Sequence, residues 1–143
     1  MAAESRATTV WEGDLAHGRG TTRAASGALP EVEVTWAART ERAPGTTSPE
    51  ELLAAAHASC FCMALSSGLA KGGNPPERLE ATATVTFVAG EGVKSSKIVV
   101  NGRVPGLDQA GFEGAARGAG ENCPISQALK RNVEVTVEAT LES

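Results

Sequence analysis

Ser48-Pro49-Glu50-Glu51-Leu52-Leu53-Ala54-Ala55-Ala56-His57-Ala58-Ser59-Cys60-Phe61-Cys62-Met63-Ala64-Leu65-Ser66-Ser67-Gly68-Leu69-Ala70-Lys71 is the stretch on which the fold turns. Serine is a favourable N-cap, proline suits the first helical position, and Glu51 stands three residues on, where a capping box needs its acid. No proline interrupts residues 52–71, and Gly72-Gly73 followed by Pro75-Pro76 stops the helix. The result is a helix of about 20 residues, roughly 30 Å long, which is large for so short a chain. Apolar residues occupy nearly every side of it, so it is expected to be largely buried and to act as the spine of the fold.

Strands are expected on either side. Residues 6–12 form a first β region, and over 31–37 Val32, Val34 and Trp36 alternate with Glu31, Glu33 and Thr35, a period of two. Gly18, Gly20 and Gly27 punctuate the segment between them as turns. After the helix, Leu79, Ala81, Ala83, Val85 and Phe87 alternate with polar neighbours. Residues 98–104 supply their partner strand beyond a turn region over 90–97. Asp108 is placed to cap a second helix running towards Glu121, in which Gly111, Gly114 and Gly118 each cost about 1 kcal/mol relative to alanine unless they permit close packing. Val133, Val135, Val137, Ala139 and Leu141 form a last alternating strand. The order of strands, long helix, strands, helix and strand predicts one α+β domain over 1–143.

Composition narrows the function classes. Hydrophobic residues at 41% and charged residues at 21% of 143 argue against disorder. Three Phe, two Trp and no Tyr leave little for stacking on single-stranded nucleic acid, and a net charge of −4 without a basic patch argues against a phosphate-backbone partner. The longest unbroken apolar run is far below the ~18 residues of a membrane span. Met1-Ala2-Ala3-Glu4-Ser5-Arg6 lacks the basic and apolar regions of a secretory signal. A soluble cytoplasmic protein is expected. Three cysteines are an odd number, and in a reducing compartment they are either packing residues or reactive thiols.

Cys60 and Cys62 project about 200° apart on a helix and can neither bridge each other nor share a metal. His57 and Cys60 share a face, which leaves open a zinc site with Cys123, although no fourth ligand is evident, and equally a thiol hydrolase or transferase using Cys60 with His57. Cys123 precedes Pro124, which suits the first position of a short helix. At the N-cap of that helix, backbone N–H groups favour a thiolate. Ser126 and Gln127 read as helix-surface residues. Cys60, far into its own helix, needs a nearby cation to ionise, and Arg39 and Arg19 are the candidates.

These residues resemble the osmotically inducible protein C and organic hydroperoxide resistance (OsmC/Ohr) family along nearly the whole chain. The likeness runs from Trp11-Glu12-Gly13-Asp14 through residues 48–61 and Val104-Pro105-Gly106-Leu107-Asp108 to Cys123-Pro124-Ile125-Ser126-Gln127-Ala128-Leu129. His57-Ala58 and Gln127 place it nearer the osmotically inducible branch. The resemblance implies antiparallel sheets around a long buried central helix, in an intertwined two-fold homodimer. It implies a two-cysteine peroxidase in stress defence that takes organic hydroperoxides and, more weakly, hydrogen peroxide. Cys60 matches the peroxidatic thiol, Cys123 the resolving thiol, Glu50 the carboxylate and Arg39 the arginine, while Arg19 falls near the arginine-bearing turn of the other branch. Cys62 stands where serine is expected and has no assigned part. The reductant is implied to be a dithiol of lipoyl type, with no cofactor, metal, nucleic acid or membrane involved. A redox-sensing or ligand-binding domain without sustained turnover is the non-enzymatic alternative.

Overall fold

Ser48 starts the long helix as its sequence predicts: its hydroxyl accepts the Glu51 N–H at 3.1 Å. Glu51 departs from the expected capping box, because its carboxylate accepts the Thr47 hydroxyl. The computed structural model describes residues 1–142 and divides into two compact units, Met1–Leu52 and Leu53–Ser143.

In the first unit, β1 (Ala7–Glu12), β2 (Arg19–Ala24) and β3 (Val32–Val34) form an antiparallel sheet in that order. Turns stand at Gly18, whose N–H bonds to Asp14 O at 2.8 Å, and at Gly27 as expected, but Gly20 falls inside β2. Gly20 lies inside the strand for lack of room: a Cβ there would stand 2.7 Å from Val34 Cγ2 and 2.9 Å from the Trp11 ring. The strand expected over 31–37 stops at Val34. Thr35 caps a short helix α1 (Trp36–Thr40), its hydroxyl accepting from Ala38 N at 3.0 Å, so Trp36 is helical. Thr47 N bonds to Glu33 O at 2.8 Å and ties the next segment to β3.

Helix α2 (Pro49–Lys71) then runs without a break. It ends as the double glycine predicts, with Gly73 at φ 89° and Asn74 N bonded back to Leu69 O at 2.9 Å. Its burial corrects the expectation. One stripe, His57, Phe61, Leu65 and Leu69, is buried at a spacing of four, whereas Ala55, Ala56, Ser59, Ser67 and Ala70 are exposed and Met63 is 74% exposed. Apolar residues on every side therefore do not mean burial on every side within one chain. By length and composition alone α2 is also apolar enough to cross a membrane, although no unbroken apolar run in it is. In the second unit its stripe shares a core with Ile98, Val100, Val104, Phe112, Ala116 and Ala119.

That unit holds a second sheet, β4 (Arg78–Val88), β5 (Gly92–Arg103) and β6 (Glu134–Leu141), with β5 in the middle. The turn expected across 90–97 is narrower, because Gly90 and Gly92 at positive φ close a tight hairpin and β5 begins at once. Polar Lys94, Ser95, Ser96 and Lys97 had masked that strand. The expectation of purely antiparallel sheets is also corrected. β4 and β5 are antiparallel, but β6 is parallel to β5, Ile98 facing Val137. Between β5 and β6 the chain passes through α3 (Gln109–Asn122) and α4 (Pro124–Leu129), the crossover a parallel pair requires. Asp108 caps α3 as expected, accepting Gly111 N at 2.7 Å. Phe112 of α3 presses on Gly102 of β5, where an added Cβ would lie 2.4 Å from the ring. Close packing falls to Gly120, 2.6 Å from Val137 by the same measure, and to Gly111 against Leu107, while a Cβ on Gly118 meets open space.

Candidate active site

Cys123 ends α3 and caps α4, with Pro124 in the first turn, as the Cys-Pro pair predicts. It is wholly buried. Cys60 projects from α2 and is partly exposed, and the two thiols lie near enough to act on one another's ionisation. Two thiols with 62 residues of sequence between them thus influence each other inside one unit.

Their environments differ. Burial pushes the Cys60 thiol above its ordinary pKa, helped by the neighbouring Cys123 sulfur and opposed only by the Ile125 N–H. Burial acts on Cys123 in the same sense but is outweighed. The Ser126 N–H, the Cys60 thiol, the Ser126 hydroxyl and the Ile125 N–H favour its charged form and hold it below the ordinary value. The N-cap influence therefore reaches Cys123 as expected, and Cys60 is the natural proton donor of the resting pair. Cys62 lies apart, its thiol raised by burial.

In the first unit Arg39 and Glu50 form an ion pair. Arg39 Nη2 and Nε lie 2.8 and 2.9 Å from the same oxygen, Glu50 Oε1. The Arg39 guanidinium also sits 5.8 Å from the Trp36 ring centroid. Glu50 is buried, and its Oε2 has no hydrogen-bond partner among the described residues. Arg19 stands elsewhere, exposed and 3.8 Å from Glu33, so Arg39 and not Arg19 is the arginine joined to Glu50.

His57 does not serve Cys60. It is fully buried, with Nδ1 2.6 Å from Ser96 Oγ and Nε2 2.7 Å from Ser126 Oγ. Burial lowers its pKa, which favours the neutral ring. With both nitrogens engaged by hydroxyls, it is in place neither as a base for Cys60 nor as a zinc ligand. Among the described residues no three His, Cys, Asp or Glu side chains gather as a metal site. Ser126 overturns its expected place on the helix surface: it is 1% exposed, bonds to His57 and favours the charged form of the Cys123 thiol. The available signal was its position three residues after the N-cap, from which a side chain reaches back over the helix start. Ser96 gave no sequence signal.

Residues 41–138 match the family described as OsmC-like protein. The chain belongs to the OsmC-like family. Over its full length it is 38% identical to the peroxiredoxin OsmC of Escherichia coli K12, covering all of both chains. It is 31% identical to the organic hydroperoxide resistance protein OhrA of Bacillus subtilis 168, over 70% of this chain and 72% of that one. Among solved structures, the organic hydroperoxide resistance protein OhrB of Bacillus subtilis superposes with a TM-score of 0.72 at 28% identity, covering 94% of this chain and 98% of that one. The fuller match to the OsmC relative agrees with the His57-Ala58 and Gln127 signature. As an OsmC-like protein the chain has the family's α+β fold, with two small sheets and one long helix.

Proposed function

We propose that this chain is a two-cysteine thiol peroxidase that reduces organic hydroperoxides to alcohols. The observation that carries the reading is the meeting of Cys60 and Cys123. One sulfur is partly open to solvent for a substrate, and the other is buried, held below its ordinary pKa and near enough to feel the first. The names of the relatives, a peroxiredoxin and organic hydroperoxide resistance proteins, support the same chemistry.

In the cycle, the Cys60 thiolate attacks the distal peroxide oxygen. The O–O bond breaks, the leaving alkoxide takes a proton to become the alcohol, and Cys60 becomes a sulfenic acid. The Cys123 thiolate then attacks that sulfur. An S–S bond forms, the S–O bond breaks, and hydroxide leaves to become water. An external dithiol, of lipoyl type by family likeness, resets the pair by thiol–disulfide exchange. No metal or cofactor takes part, and the cytoplasm supplies the reducing setting.

Cys60 needs a cation to ionise ahead of Cys123, and we assign that to Arg39 oriented by Glu50. Ten residues of unbroken helix put Glu50 about 15 Å along the axis from Cys60 of the same chain. A two-fold homodimer with α2 helices antiparallel would bring Arg39 and Glu50 of one copy to Cys60 of the other. The exposed apolar side of α2 is the surface such a dimer would cover. Residues 1–143 then act as one peroxidase domain.

Turnover of cumene or tert-butyl hydroperoxide in excess dithiol tests the reading. Cys60→Ser should abolish it, and Cys123→Ser should allow one oxidation that stops at the sulfenic acid. Normal turnover by Cys60→Ser, or full activity in an isolated monomer, removes the assignment or the dimer respectively. Stoichiometric oxidation without sustained turnover would make the chain a sensor.

A further inference from the structure

Three polar side chains lie buried in a row beside the thiol pair and have no part in the cycle above. His57, Ser96 and Ser126 are 0%, 0% and 1% exposed. They come from α2, β5 and α4, and the bonds of 2.6 and 2.7 Å from His57 to the two hydroxyls join them into one chain. The row leads to a sulfur: Cys123 is the N-cap of α4, Ser126 stands three residues on in its first turn, both are buried, and the Ser126 hydroxyl favours the charged form of that thiol. Filling space at these positions would need only apolar groups, so the hydrogen bonds require an account of their own.

Donor counting supplies it. A neutral imidazole has one donor and one acceptor, and a serine hydroxyl has a single proton. If Ser96 donates to Nδ1, the ring proton sits on Nε2 and donates to Ser126 Oγ. The Ser126 hydroxyl, having accepted from His57, has its own proton left for Cys123. The opposite tautomer would spend the Ser126 proton on Nε2 and turn an oxygen lone pair towards the sulfur. We propose that Ser96 and His57 are positioning residues for the resolving thiol, holding the Ser126 hydroxyl so that its proton points at the Cys123 sulfur. This rests on the peroxidase reading.

The device suits the resolving step. Cys123 must attack the Cys60 sulfenic sulfur as a thiolate, forming S–S, breaking S–O and releasing hydroxide, which takes a proton from solvent. A fixed hydroxyl donor keeps the buried sulfur charged without giving up its proton. Other groups bearing on Cys123 are few. From α2 comes the Cys60 thiol, and from α4 the Ser126 hydroxyl and the N–H groups of Ser126 and Ile125; His57 and Ser96 connect through Ser126. Lys94, Lys97 and Glu121 on the flanking elements are exposed.

Nitrogen-15 NMR of the histidine-labelled, reduced full-length protein reads the tautomer directly, and the proton is expected on Nε2 of His57. In a Cys60→Ser background, Ser126→Ala should shift the pH profile of Cys123 alkylation by iodoacetamide upward by about one unit, while Ser126→Thr keeps it. With both cysteines present, disulfide closure after a single hydroperoxide addition should slow about tenfold in Ser126→Ala. His57→Gln, which can offer an amide N–H in place of Nε2–H, should retain both properties and His57→Leu should lose them. A merely structural role would lower the denaturation midpoint without moving the alkylation profile. A proton found on Nδ1, or a folded Ser126→Ala with unchanged profile and closure rate, overturns the inference. If the unaltered protein forms no 60–123 disulfide with hydroperoxide, the peroxidase reading is what fails, and the tautomer and alkylation profile still decide the relay.

Discussion

Closing the Cys60–Cys123 bond should make the second unit measurably harder to unfold, by an amount the chain topology sets. The bond would tie off a loop of roughly 64 residues, and chain-entropy scaling assigns such a loop about 4 kcal/mol at 25 °C. The two thiols already act on one another's ionisation in the reduced protein, so they are expected to join with little strain. With a urea slope of about 2 kcal/mol per M, the midpoint should rise by about 2 M on oxidation. The assay is urea unfolding of the reduced protein, of the same protein after one equivalent of cumene hydroperoxide, and of that sample after dithiol. Peptide mapping checks that residues 60 and 123 are joined. A crosslinked sample whose midpoint does not rise would refute the claim that the sulfurs meet without distortion. A rise seen also in Cys123→Ser would show that the gain comes from another modification.

Three other outcomes are expected. Arg39→Ala should destabilise by about 2–3 kcal/mol, somewhat under a fully buried pair because the Arg39 side chain is 30% exposed. Glu50→Gln in the same chain should restore part of it, and an unchanged urea midpoint in Arg39→Ala would show the pair to be incidental. Gly102→Ala should cost about 1–3 kcal/mol because Phe112 is buried and cannot yield, while Gly118→Ala, facing open space in α3, should gain about 1 kcal/mol; equal midpoints for the two would contradict the packing. The pKa of His57 is depressed by burial, so below the ordinary imidazole value near 6.5 the unfolded chain binds more protons than the folded one. The contribution of His57 to stability should be complete above that pH and be lost as pH falls, and His57→Gln should flatten this limb of a stability–pH curve.

Local chemistry made much of this legible in the sequence. Ser48-Pro49, Asp108 and Cys123-Pro124 each announce a helix start through one short-range bond or one fixed dihedral, and each start is where it was expected. Alternation revealed β4 and β6 because their wet and dry faces differ in residue type. The segment Arg19-Gly20-Thr21-Thr22-Arg23-Ala24 offers no such contrast, and its glycine resembles a turn until Val34 and Trp11 are seen crowding it. The parallel pairing of β6 was hidden because direction depends on the crossover and not on the strand. Among the candidate residues, Cys60, Cys123, Arg39 and Glu50 stood out by residue type and by family likeness. The roles of Ser96 and Ser126 did not, since they join His57 from 39 and 69 residues away and a serine carries no mark of burial.

The placement of β6 beside β5 bears on when the chemistry can begin. Cys123 hangs between α3 and α4, and that crossover is closed only when the strand following it has docked alongside β5. Pairings so distant along the chain are late events in folding. During synthesis, residue 60 leaves the ribosome well before residue 123 and its anchoring strand. A newly made chain therefore passes through an interval in which Cys60 has no mate, and the assembled pair of thiols is the mark of a completed molecule.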